Sequence, residues 1–164
     1  MTPIDAISRA GGALAAVLMV LAGAMLTFEV AARYFFVRPT IWAAELSQLC
    51  LVWGVLLGMA WVLGMRRHIT VNAATSLLPP RGRQGAEALA LLVVILFSGW
   101  LAVYGWQIFW DSFARGRLTG TMLNLPRWTS EAPVPLGFAM LMAQAGQDLG
   151  RLRHGPPKAA EGHE

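Results

Sequence analysis

Four long apolar runs dominate the 164-residue chain, separated by short polar clusters. The runs cover about residues 11–36, 42–65, 85–110 and 128–150. A bilayer's hydrocarbon core is about 30 Å thick and takes about 20 helical residues, so each run predicts a transmembrane helix. Between the first two stands Val37-Arg38-Pro39-Thr40. Proline restricts the residue before it and breaks a helix, and so short a break makes the first two helices antiparallel neighbours. Arg66 to Arg83 is a basic loop in which Ile69 to Leu78 is mildly amphipathic, as in segments that lie along a membrane surface. Pro79-Pro80 ends any helix there. Asp111 to Arg127 is the longest non-apolar stretch before the tail. In the fourth run, Pro133 and Pro135 fit the first turn of a helix that begins near them; a helix beginning earlier would kink. Residues 151–164 are polar, contain Pro156-Pro157, and are expected to be disordered. Ala22-Gly23-Ala24 has the form of a signal-peptidase site, but the apolar pattern runs well past it, so no cleavage is expected. The expected fold is an all-α integral membrane protein, one four-helix transmembrane domain over residues 1–150 followed by a tail.

Composition agrees. Hydrophobic residues make up 56% and charged residues 13%, against roughly a quarter charged in soluble domains. Mean hydropathy is +0.53 and the pI about 10.2. The net charge of +4 does not point to nucleic acid, because the basic residues sit at the ends of apolar runs. With four spans, eight of the 13 Lys and Arg residues fall on the side of the termini. The positive-inside rule then places both termini in the cytoplasm.

Charges inside the apolar runs are the candidate chemistry. Glu29 and Arg33 lie one turn apart near the end of the first run, and Glu45 follows Trp42 at the start of the second. Counting back from Phe36, Glu29 lies about 10 Å inside at 1.5 Å per residue. In an antiparallel hairpin Glu45 reaches a similar depth, which predicts a Glu–Arg–Glu cluster. Such a cluster can fix helix register or dock a subunit, carry a proton or cation, or snorkel to the interface. A proton-coupled carboxylate must be free to change charge, and a guanidinium one turn away opposes that, so the structural role is preferred. Gly54 and Gly58, continued by Ala60 and Gly64, form a small-residue pattern of the kind that lets membrane helices approach closely. Tyr34, Phe35, Phe36, Trp42, Trp106, Phe109, Trp110 and Trp128 all fall at outer helix ends, as an interfacial belt. Cys50, the sole cysteine, reads as a packing residue. Ser98 and Ser112 have no base nearby in sequence, and no nucleophile, phosphate-loop, zinc or haem pattern is present. No enzymatic activity and no cofactor or metal is expected.

Taken together, several fragments resemble the small membrane subunit of the tripartite ATP-independent periplasmic (TRAP) transporters, the DctQ-like family. They are Glu29-x-x-x-Arg33-Tyr34, Pro39, Trp42, Glu45-Leu46, Trp53, Leu57-Gly58-x-Ala60 and Arg66-Arg67-His68-Ile69, then Leu125-Pro126-x-Trp128 and Pro135-Leu136-Gly137-Phe138. Asn72 stands where the family often has aspartate, and Arg67 adjoins His68 where a gap is common. The resemblance implies four spans in a bacterial inner membrane and a large membrane subunit that carries the substrate and ion sites. It also implies a periplasmic binding protein that captures an organic acid, and uptake driven by an ion gradient, in many systems sodium. The small subunit would act as scaffold for an elevator-type transporter. Glu29, Arg33, Tyr34, Trp42, Glu45, Gly54, Gly58, His68 and Trp128 would then be structural or interface residues, and Arg115 and Arg117 would contact the periplasmic protein. The competing reading is a self-sufficient proton-coupled transporter acting as a homodimer, with Glu29 as its acidic residue.

Overall fold

The computed structural model of the chain describes residues 3–38, 40–66 and 80–153. Among them the regular elements are helices: α1 (Pro3–Phe35), α2 (Ile41–Arg66), α3 (Pro80–Ala114), α4 (Trp128–Glu131) and α5 (Pro133–Arg153). The apolar runs mark the spans but not the helix ends. α1 starts eight residues before the expected 11, and α3 begins at Pro80, where proline suits a first helical turn. The fourth run divides into α4 and α5, joined through Ala132, whose N–H donates to the Trp128 carbonyl at 2.8 Å. Pro133 and Pro135 therefore fall in the first turn of α5. Among the described residues three segments are long and apolar enough to cross a membrane: Ile4–Phe35, Ile41–Met65 and Gly85–Ala114. α5 is long enough, about 31 Å at 1.5 Å per residue, but Gln144, Gln147, Asp148 and Arg151 lower its hydropathy.

α1 ends in a tight reversal. The Ala32 carbonyl accepts from both Phe36 and Arg38 N–H at 3.2 Å, and Val37 sits at φ 51°. A β-branched residue is strained in this left-handed region. The chain tolerates it there because the break between α1 and α2 is only five residues long.

The long helices lie side by side in the order α1, α2, α5, α3, with α1 also touching α5. Small residues line the seams. On α1 the buried positions Ser8, Ala15, Ala22 and Glu29 recur every seven residues, and on α3 Leu91, Ser98, Gly105 and Ser112 do the same. A seven-residue repeat is the spacing of near-parallel helix packing. The buried hydrophobic residues are mostly alanines, while Leu, Val, Phe and Trp crowd the exterior. Such an arrangement suits lipid, where close backbone packing rather than burial of bulky side chains holds helices together.

Glycines set the closest approaches. A Cβ at Gly11 of α1 would lie 3.1 Å from the Leu57 carbonyl oxygen, and one at Gly137 of α5 would lie 2.6 Å from that of Leu56. The middle of α2 is thus clasped from both sides. Leu56 lies about 22 Å along α2 at 1.5 Å per residue, yet Gly137 is only in the second turn of α5. α5 therefore starts well below the turn that joins α1 and α2.

Candidate functional site

The hairpin charges separate into two groups. Glu29 occupies a seam position of α1 and is 7% exposed. Its Oε1 accepts from Arg33 Nη2, one turn on, in an ion pair whose guanidinium side reaches outward. Phe28 stacks on Trp42 at 6.0 Å and bridges the two helices beside this pair. Glu45 does not complete the expected three-membered cluster. Its Oε2 accepts from the Thr121 hydroxyl at 2.8 Å, and among the described residues no bond links it to Arg33. α3 runs past the start of α5, with Gly105 against Val134 and Pro135, so the chain leaving α3 passes the first turns of α2 before it descends to α4, and Glu45 holds it there.

That connecting loop is pinned at several points. Thr119 N–H donates to the Leu125 carbonyl and Arg127 N–H to the Arg117 carbonyl, both at 2.9 Å. Gly116 and Gly120 take positive φ, as does Asn124 at the turn, conformations that glycine and asparagine accept readily. The Thr119 and Thr121 hydroxyls bond each other at 2.7 Å, which extends the tether to Glu45. Arg115 and Arg117 both pair with Asp111, at 2.6 and 3.1 Å. Leu118 and Met122 stand exposed on the same loop.

Other expected site residues have roles within the chain. Trp128 stands edge-on to Phe109 and Phe113, with ring centroids 6.5 and 6.1 Å away, so it anchors α4 to α3. Gly54 and Gly58 face α1, where a Cβ would meet Met19 and Ala15 at 3.0 and 3.3 Å. Both also line an apolar groove of about 570 Å³ between α1 and α2, together with Ala16, Met59, Val62 and Leu141. Tyr34 is exposed at the end of α1. His68 lies outside the described residues.

Two features escape a reading of the sequence. Trp53 Nε1 donates to the Thr129 carbonyl at 2.9 Å and ties α2 to α4. At the opposite end of the layer, α1 and α5 share a polar network. Ser8 donates to Gln144 Oε1 at 2.8 Å, and Gln147 and Arg151 donate to Asp5 at 3.2 and 2.6 Å. Asp148, 0% exposed, lies 3.9 Å from Arg151. A polar cleft of about 270 Å³ opens beside this network, lined also by Arg9, Trp61 and Gly64. Asp5 and Asp148 stand 143 positions apart, so only the recurrence of polar residues on one face of α5 hinted at it. Among the described residues no group of three or more His, Cys, Asp or Glu side chains is placed to hold a metal ion. These charges and hydroxyls bind helices and loops together.

Comparison with known proteins covers most of the chain. A family profile described as "Tripartite ATP-independent periplasmic transporters, DctQ component" matches residues 22–154. The C4-dicarboxylate TRAP transporter small permease protein of Vibrio cholerae is 27% identical over 71% of this chain and 60% of its own length. The sialic acid TRAP transporter small permease protein of the same organism is 26% identical over 51% of this chain and 49% of its own. The chain thus spans about half to three-fifths of the curated relatives it matches.

Proposed function

Because the chain belongs to the DctQ component family of the tripartite ATP-independent periplasmic transporters, we propose that it is the small, non-catalytic membrane subunit of an ion-gradient-driven uptake system for organic acids. The family match over residues 22–154 carries this reading. The two relatives are named for different substrates, sialic acid and a C4-dicarboxylate, and both substrates are carboxylates. The transported substrate is therefore an organic acid, and sodium is the coupling ion. The subunit scaffolds a larger membrane chain that bears the substrate and ion sites, in a bacterial inner membrane.

The geometry supports scaffolding over transport. Glu29, the carboxylate a self-sufficient proton-coupled transporter would use, is already engaged by Arg33. In the proposed topology α5 is the fourth span. Its polar face meets α1 through Asp5 and Ser8, so those groups avoid hydrocarbon, where unsatisfied polar atoms are costly. Both termini then face the cytoplasm, with the majority of the Lys and Arg residues. The outer loop, with Arg115, Arg117, Leu118 and Met122, is the surface that meets the periplasmic binding protein.

Purification of the tagged protein from its native membranes in mild detergent tests this. Stoichiometric recovery of a much larger polytopic membrane protein is the expected result. A lone homodimer would overturn the reading and favour the self-sufficient transporter, for which loss of uptake in Glu29→Gln would be the next measurement.

A further inference from the structure

The polar cleft and the apolar groove adjoin, and Trp61 lines both. Gly12 leaves the room that the indole takes, since a Cβ there would come within 2.7 Å of the ring. Below Trp61 the groove follows α2 from Leu63 back to Gly54, about 13 Å at 1.5 Å per residue. Half of a bilayer's hydrocarbon core is about 15 Å. The groove is thus about as deep as one leaflet, and it lies in the half of α2 that ends at Arg66. The cleft stands at its head, where α1 begins and α5 ends, with Arg9 and Met65 among its lining. The two cavities together are polar at one end and apolar for the depth of a leaflet beyond it, which is the form of a phospholipid.

The charges in the cleft are unequally committed. Arg151 reaches both carboxylates, Asp5 at 2.6 Å and Asp148 at 3.9 Å. Arg9 forms no ion pair among the described residues, and only its Nε is used, donating to the Asp5 carbonyl at 3.4 Å. Its two terminal guanidinium nitrogens face no acceptor of the chain among those residues. A guanidinium presents a fork of N–H groups that matches the oxygens of a phosphate. The size of the groove selects among apolar occupants. A helix is 10–12 Å across and would need roughly 1,000 Å³ over the same length, whereas the groove holds about 570 Å³. An acyl chain, a single file of methylenes, fits that space, and the phosphate at its head meets Arg9.

We propose that the cleft and groove form a site for one glycerophospholipid, its phosphate held by Arg9 and one acyl chain laid along the groove between α1 and α2. The site needs only that these two helices cross the bilayer, and it stands whether or not a larger subunit co-purifies. The test is native mass spectrometry of the full chain, in the complex in which it purifies, after incubation in mild detergent with phosphatidylglycerol or with diacylglycerol of the same acyl chains. The expected result is retention of phosphatidylglycerol under conditions that strip diacylglycerol. Arg9→Gln, at an exposed position, should weaken that retention about fivefold, the usual worth of one arginine at an anionic headgroup. Ala16→Phe fills the groove from its exposed side and should weaken it at least as much, with helicity by circular dichroism unchanged. Equal retention of the two lipids, or unchanged retention in Arg9→Gln, overturns the proposal. Displacement of the lipid by inorganic phosphate overturns it too, because the cleft is then a phosphate site without the groove. A photo-crosslinker at position 16 separates the remaining occupants. An adduct to lipid is expected, and an adduct only to a protein helix, from a second copy or another chain, overturns the proposal.

Discussion

At the scale of single residues, two positions report on opposite kinds of constraint. Gly137 meets the α2 backbone so closely that any side chain must displace a helix, whereas Gly146, on the same helix, has open space where a Cβ would go. Gly137→Val is expected to cost at least the 1–3 kcal/mol typical of overpacking. Gly146→Ala should be neutral or slightly stabilising. Thermal unfolding in detergent, read by circular dichroism, distinguishes them; equal melting temperatures would refute the close contact. The Glu29–Arg33 pair is asymmetric in a second way. Its carboxylate is buried and its guanidinium is largely exposed. Solvent screening at the exposed partner limits the pair's worth, so Glu29→Gln should cost about 1 kcal/mol or less. Arg33→Ala leaves a buried charge without its partner and should cost more. The reverse order in a denaturation series would show that the pair does not govern this site.

At the scale of elements, α5 is the helix whose place depends most on its neighbours. One side carries the proline–glycine stretch that closes on α2 and α3, and its far end carries the polar residues that reach α1. Gln144 is central, since it accepts from Ser8 and lies 3.5 Å from Asp148. Gln144→Leu keeps the volume and strands the Ser8 hydroxyl, a loss of about 1–3 kcal/mol. Double substitution with Ser8→Ala should recover part of it, because both polar groups are then gone. A double-mutant cycle that sums without coupling would separate the two residues.

For the whole molecule, the layer of helices exposes broad apolar faces and presents its charges at two rims. In the proposed topology the rim that holds Arg115 and Arg117 is where a water-soluble partner would reach it. Arg115 and Arg117 share Asp111, so reversing both to glutamate gathers three acidic groups at one point and changes the sign of the rim. Binding of the periplasmic protein to the reconstituted complex should weaken by roughly tenfold or more and lose its sensitivity to salt. Asp111→Asn separates the causes: it frees both arginines without reversing them, and should leave binding intact. Equal losses in the two variants would mean that loop shape, rather than charge, sets the contact.

The sequence by itself determined the class of fold and the position of each apolar segment, because hydropathy over about 20 residues is a property of composition alone. It also determined the antiparallel α1–α2 hairpin, through the short break at Val37 to Thr40, and the pairing of Glu29 with Arg33, through their spacing on one helix. The family was legible in dispersed fragments such as Leu125-Pro126-x-Trp128. Only the tertiary structure decided the order of helices in the layer and the low start of α5. It also decided the bond of Glu45 to Thr121 in place of Arg33 and the tie of Trp53 to Thr129. The polar network joining Asp5 and Ser8 to Gln144 and Arg151 was likewise settled by packing, as was the closure of Gly54 and Gly58 on α1. The reason is that apolar helices in lipid carry almost no signal of which face turns inward. Small residues in the seams and bulky ones outside are equally hydrophobic to the bilayer, and only close backbone contact tells them apart.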